Sequence, residues 1–236
     1  MDVWTLISFG DQGWGDEIAW GVLVTVSLAL ATLPLGLALG FFVALAKQSR
    51  EPTLRLSAEI YTTIFRGLPE LLTLFIIFFG MQIGIQQIAR TMGFSSGIEI
   101  NAFVAGMIAL GIVFSSYASE VFLSAFRAIP KGQYEGGYAV GLPNGKVMRL
   151  VVLPQVLKIA LPGLTNLWMI LLKDTALVSA IGLSDIVRQT GIAARVTKEA
   201  FLFYGIAFIL FLVLALLSSI VINRIEKYGE RAEQAR

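Results

Sequence analysis

WGVLVTVSLALATLPLGLALGFFVALA, Trp20 to Ala46, runs for 27 residues without a charged side chain. A helix needs about 20 apolar residues to cross a hydrocarbon core of about 30 Å, because backbone polar groups there must pair within the segment. This stretch passes that length and far exceeds the apolar core of a secretory signal peptide. No small-residue cleavage pattern followed by a soluble domain comes after it, so it reads as a retained span. Comparable apolar stretches recur from about Ile60 to Ala89, Asn101 to Phe126, Val151 to Leu172 and Ala200 to Asn223. The pattern predicts an all-α membrane protein with five transmembrane helices and termini on opposite sides.

Composition agrees with that reading and narrows the chemistry. The 236 residues are 56% hydrophobic and 14% charged, with mean hydropathy +0.78, against roughly a quarter charged residues in soluble domains. With no Cys and no His, a disulfide framework, a thiol nucleophile, a Cys/His zinc site and a Ser-His triad are excluded. No catalytic residue and no metal site are expected. The net charge of +2 is too small and too dispersed for a nucleic-acid partner. The expected partners are lipid and protein.

Basic residues stay on the cytoplasmic side of short loops. An outside N-terminus puts Lys47, Arg50 and Arg55, then Arg127, Lys131, Lys146, Arg149 and Lys158, then Arg224, Lys227, Arg231 and Arg236 inside. Arg90, Lys173, Arg188, Arg195 and Lys198 fall outside and Arg66 lies within the second stretch. The bias favours N-terminus out, C-terminus in. The apolar piece Ile181 to Val187 predicts a short, partly buried helix in the outer segment 173–199. Trp4, Trp14 and Trp20 before the first span are of the type that settles at a headgroup interface. The polar tail 223–236, with Glu226, Lys227, Glu230, Arg231 and Glu233 at helical spacings, predicts a short solvated helix. Nothing divides the chain, so 1–236 reads as one membrane domain.

Between spans three and four lies a polar bracket, residues 128–154, AIPKGQYEGGYAVGLPNGKVMRLVVLP. Pro130 ends the preceding helix. Residues 133–140 have room for two helical turns, which Gly141, Pro143, Asn144 and Gly145 close as a C-cap and turn would. The result is a short helix lying along the membrane surface. Glu135 sits near its N-terminus, where the dipole favours a negative charge. Gly136 and Gly137 each cost about 1 kcal/mol against Ala in a helix, which suggests a surface meant for close approach.

Here the sequence resembles a known family. Glu135, Gly141, Leu153 and Pro154 reproduce the spacing of the EAA signature in membrane subunits of binding-protein-dependent ABC importers, with Val151 in place of Ile and Gly136-Gly137 in place of Ala-Ala. Phe65 to Leu72 (FRGLPELL), Tyr117 to Glu120 (YASE) and Leu172 to Leu183 (LKDTALVSAIGL) resemble the polar amino-acid branch, and within it the first of the two paired subunits of histidine, arginine and opine permeases. The resemblance implies a type I, methionine-importer-like core in a bacterial inner membrane. It also implies a coupling helix, with Glu135, Gly136, Gly137, Gly141, Leu153 and Pro154 at the contact with a cytoplasmic ATPase dimer. Further implied partners are a second, related permease subunit and a periplasmic substrate-binding protein. The chain has no phosphate-cradling Gly-rich loop followed by Lys and Ser or Thr, so ATP and Mg are expected on the ATPase and no cofactor on this chain.

Ionisable groups within a bilayer mark a bundle interior, a pair or a pathway. Arg66 and Glu70 are four apart, so on one continuous helix they share a face and can neutralise each other. Glu120 lies seven residues before Arg127, roughly 10 Å by helical rise, and Glu70 is expected at a comparable depth. Two carboxylates at one level would give a cationic solute its countercharge. Lys173, Asp174, Thr175 and Ser179 are expected near the outer face, either lining a pathway or, as plain structure, with Thr175 capping the next short helix. Gly36 and Gly40 read as close-packing positions. A stand-alone channel or secondary carrier is the alternative to an importer subunit, and it would leave the bracket without a role.

Overall fold

In the computed structural model, the backbone is described for residues 3–10, 12–93 and 100–234, with side chains through Arg224. The charged pairs expected in the tail lie outside the described side chains, and its backbone through Gln234 is the end of the last helix. The elements are α1 (Val3–Leu6), α2 (Gly15–Lys47), α3 (Pro52–Gly67), α4 (Glu70–Thr91), α5 (Ala102–Ala128), α6 (Lys131–Ala139), α7 (Asn144–Val147), a π-turn (Met148–Val152), α8 (Leu153–Asp174), a 3-10 segment (Thr175–Ile181), α9 (Ile186–Thr197) and α10 (Ala200–Gln234). Five helical stretches are long and apolar enough to cross a membrane: Gly15–Lys47, Glu70–Thr91, Ala102–Ala128, Asn144–Ile181 and Ala200–Arg224. The expected count holds.

The second span differs from expectation. The stretch read as one helix from Ile60 is broken: α3 ends at Gly67, Leu68 and Pro69 are non-helical, and α4 starts at Glu70 after Pro69 at φ −57°, ψ 131°. Pro69 disfavours helical geometry at Leu68 and has no N–H to give an overlapping helix. Only α4 is span-like, whereas α3 is amphipathic, with Leu56, Ile60 and Ile64 exposed along one face.

The fourth span also begins earlier than Val151. Helix starts at Asn144, so Asn144 and Gly145 belong to the span-bearing helix rather than to a turn. The π-turn then accommodates Pro154, whose ring would clash with the carbonyl four residues back in a regular helix. Pro162 lies further along the same helix.

The chain folds as two compact units. One comprises Met1–Pro34, Leu68–Gly111 and Met169–Ser218, and the other Leu35–Gly67, Ile112–Trp168 and Ser219–Arg236. In the first, Leu6, Ile18, Ala193, Ala194 and Phe203 form a buried cluster against which Trp14, Leu202, Ile206 and Leu210 pack. Trp14 thus joins a core, while Trp4 and Trp20 stay exposed. In the second, Phe41 meets Phe122 edge-on with centroids 5.5 Å apart and lies 6.0 Å from Phe126. A Cβ on Gly40 would lie 2.9 Å from the Ser115 carbonyl oxygen, so its absence brings α2 directly onto α5.

The segment 173–199 corrects the predicted Ile181–Val187 helix. The chain leaves the 3-10 turn at Gly182 and restarts as α9 at Ile186, capped by Asp185, whose carboxylate accepts the Arg188 and Val187 amides at 3.0 and 3.3 Å. Asp185 is fully buried. Burial pushes its carboxyl from about 3.8 up to about 6, with the amide donors pulling partly back.

Candidate functional site

In the second unit the charged residues converge on Glu120 of α5. Its Oε1 accepts from Lys47 Nζ at the end of α2 and lies 3.3 Å from an Arg66 guanidinium nitrogen at the end of α3. The Lys47 side chain is 8% exposed, so its charge depends on that contact, whereas Arg66 remains 45% exposed. The Arg66 guanidinium also lies 5.7 Å from the centre of the Tyr117 ring, within cation–π range. One helical turn back on α3, the Tyr61 hydroxyl bonds Ser115 Oγ at 2.6 Å and donates to the Ile112 carbonyl at 3.1 Å. Together these contacts frame a cleft of about 570 Å³, lined among others by Thr62, Arg66, Tyr117 and Glu120.

The expected neutralisation of Arg66 by Glu70 does not occur. The helix break between them removes the shared face, and Arg66 is paired with Glu120 instead. Lys47, read from sequence only as a loop cation, is the residue missed here. It sits 73 positions from its partner in the chain, and the local signal was that the charge-free stretch Trp20 to Ala46 ends at this lysine.

In the first unit Glu70 is half-buried at the start of α4, and its carboxyl lies beside that of Asp174 at the end of α8, with the Lys173 charge alongside. A cation placed there would satisfy the same oxygens. Thr73, one turn along α4, is buried with its hydroxyl unpartnered. Thr175 is buried and donates to the Leu172 carbonyl at 2.7 Å, and Ser179 donates to Ala176 at 2.8 Å. Thr175 therefore continues its own helix and does not cap the next. Lys173 itself is exposed. Glu70 and Asp174 come together in this unit, and Arg66 and Glu120 in the other.

The bracket forms a short helix, α6, and its end is a full Schellman motif. Leu142 N–H donates to the Gly137 carbonyl at 3.1 Å and Gly141 N–H to the Tyr138 carbonyl at 2.9 Å. Gly141 holds φ +80°, the left-handed position that glycine takes without steric penalty. Gly137 is buried against Val147, while Glu135, Gly136, Tyr138 and Val140 are exposed. The close approach expected at both glycines is thus internal at Gly137, and Gly136 faces outward. Leu153 and Pro154 lie at the start of α8. Gln155 ties that helix to α6 through Gln133 at 3.0 Å.

Five helices long and apolar enough to cross a membrane, with a short helix between the third and fourth, mark a polytopic membrane protein. The profile of the binding-protein-dependent transport system inner membrane component matches residues 36–228, and the chain belongs to that family. It is 40% identical over 232 residues to the nopaline transport system permease protein NocQ of Agrobacterium fabrum, covering 98% of each chain. To the histidine/lysine/arginine/ornithine transport system permease protein HisQ of Escherichia coli it is 38% identical over 215 residues, 91% of this chain and 94% of the relative. A crystal structure of an amino acid ABC transporter with histidines superposes with TM-score 0.77 at 31% identity, covering 91% of this chain and 95% of the other. The importer-permease fold and the inner-membrane location expected from the resemblance are thereby shown.

Proposed function

We propose that this chain is the permease subunit of an ATP-driven importer whose solute is a basic amino acid or an opine. Permeases named for nopaline and for histidine, lysine, arginine and ornithine are similar to it over nearly their whole length. The observation that carries the cationic solute is the Glu70–Asp174 contact, two carboxyl groups gathered at the ends of two membrane helices. Such groups are expensive in a bilayer and are kept where they pair or meet a substrate. Arg66, Glu120, Lys173, Thr175 and Ser179 complete the proposed pathway, Thr175 and Ser179 through carbonyls and helix shape rather than through free hydroxyls.

The whole chain acts as one permease domain, N-terminus out and C-terminus in, with 128–154 as the coupling loop and 223–236 as a cytoplasmic tail. The α6 helix docks on a cytoplasmic ATPase dimer that holds ATP and Mg. Exposed Glu135, Gly136, Tyr138 and Val140 meet the ATPase, Gly141 fixes the helix end, and Leu153 and Pro154 set the angle at which the bracket leaves α8. A second, related permease completes the channel, and a periplasmic binding protein delivers the solute.

The test is uptake by the reconstituted complex with its binding protein. Labelled arginine should accumulate with ATP and a neutral amino acid of similar size should not, and Glu70→Gln should reduce arginine uptake while assembly is unchanged. Uptake kinetics unaltered by Glu70→Gln would remove Glu70 from the pathway.

A further inference from the structure

We infer a binding site for the headgroup of an anionic phospholipid in the second unit, in a cleft of about 520 Å³ where α2 ends, α3 begins and α5 ends. Its charge-bearing lining is Lys47, Arg55, Glu59, Glu120 and Arg127, with the Ser49 hydroxyl beside them. The two carboxylates are already engaged. Glu59 holds Arg55 at 2.9 Å, and Glu120 is shared between Lys47 and Arg66. Among the described residues Arg127 forms no ion pair, so the lining keeps an excess of positive charge. Arg55, 62% exposed, has guanidinium N–H groups beyond the Nε that binds Glu59. Two guanidinium forks suit a phosphate, whose oxygens they bind in pairs. Ser49 Oγ accepts the Glu51 amide at 3.1 Å, which leaves its O–H free to donate.

Depth selects a lipid as the source of that phosphate. Lys47 is the last residue of the α2 span and Arg127 lies in the last turn of the α5 span, the level at which hydrocarbon gives way to headgroups. Five residues before Lys47, about 7.5 Å along the helix axis, Phe42 is 65% exposed, and Leu54 and Leu56 on the first turns of α3 are half exposed. Cations at the helix ends and apolar side chains just below them match a phosphate and its acyl chains. The site stands on the membrane reading alone and is independent of the solute.

The intact importer, delipidated in detergent, is titrated by native mass spectrometry with dioleoylphosphatidylglycerol, dioleoylphosphatidylcholine and inorganic phosphate. Phosphatidylglycerol should bind more tightly than phosphatidylcholine. A cation near a headgroup contributes about five-fold in affinity, so Arg55→Gln with Arg127→Gln should lower phosphatidylglycerol affinity about 25-fold and leave phosphatidylcholine unchanged. Arg224→Gln, an exposed cation elsewhere, should have no effect. Should the double variant fail to assemble, Arg127→Gln alone, which loses no ion pair, should read about five-fold. Equal affinity for the two lipids, unchanged phosphatidylglycerol binding in the variants, or an equal loss with Arg224→Gln would overturn the site. Displacement of the lipid by equimolar inorganic phosphate would overturn its assignment to lipid in favour of a free anion.

Discussion

A Cβ on Gly137 would lie 2.9 Å from Cγ2 of Val147, inside any ordinary contact, whereas one on the neighbouring Gly136 would meet nothing within 4 Å. Two adjacent glycines thus have opposite reasons to be there. Gly137→Ala should strain the packing of α6 on α7 by about 1–3 kcal/mol and lower transport-coupled ATPase activity. Gly136→Ala should stabilise α6 by about 1 kcal/mol and leave its packing within this chain intact, so any loss of coupling in it reads contact with the ATPase. ATPase assays of the two variants in proteoliposomes separate packing within the loop from contact with the partner.

At Gly141 the left-handed backbone sets the rank of substitutions. Space is open around it, so side-chain volume is harmless within this chain, and a non-glycine residue loses roughly 1–2 kcal/mol to φ alone. Gly141→Asn, the best tolerated there, should retain more coupled ATPase activity than Gly141→Val. Gly141→Asp should insert normally yet lose coupling through its added charge at the docking face. Normal coupling in Gly141→Asp would refute the docking role.

Lys47 and Glu120 form a pair whose lysine is almost wholly enclosed. Glu120→Gln removes the countercharge and should destabilise the complex by about 2 kcal/mol, read as a fall in its melting temperature in detergent. Lys47→Met combined with Glu120→Gln should recover part of the loss, because no buried charge is then left unpaired. A double variant as unstable as the sum of its singles would show that the two residues do not interact.

Asp185 gives a pH dependence with a definite sign. Its folded-state value near 6 lies above its ordinary 3.8, so the folded protein holds the proton more tightly than the unfolded chain. The resulting stabilisation is complete below about pH 4 and is lost as pH rises through about 6. Asp185→Asn keeps a side-chain oxygen for the cap and should abolish this slope. Thermal unfolding of the variant between pH 4 and 7 should change less with pH than that of the parent chain.

What was legible from sequence followed from local periodicity. Apolar length located five spans, and Pro130 with Gly141 located α6 to within two residues at its N-terminal end and one at its C-terminal end. The Gly67-Leu68-Pro69 breaker signal was visible too, but the apolar run through it outweighed it, and the Arg66–Glu70 pairing fell with that choice. Contacts between distant residues were invisible. Nothing near Lys47 names Glu120, and nothing near Glu70 names Asp174. Asp185 was hidden for a subtler reason: it falls inside the apolar stretch Ile181 to Val187 read as one helix, whereas its carboxylate starts the helix that follows.

The π-turn at Met148–Val152 has a consequence for how motion would travel. One extra residue per turn offsets the phase of everything upstream by about 100° relative to α8. Deleting a single residue there would swing α7, and with it α6, to another azimuth and press the Pro154 ring against the carbonyl four residues back. The bracket would keep its own shape yet aim it in another direction, so the aim of α6 is written in the winding of the span rather than in the helix itself.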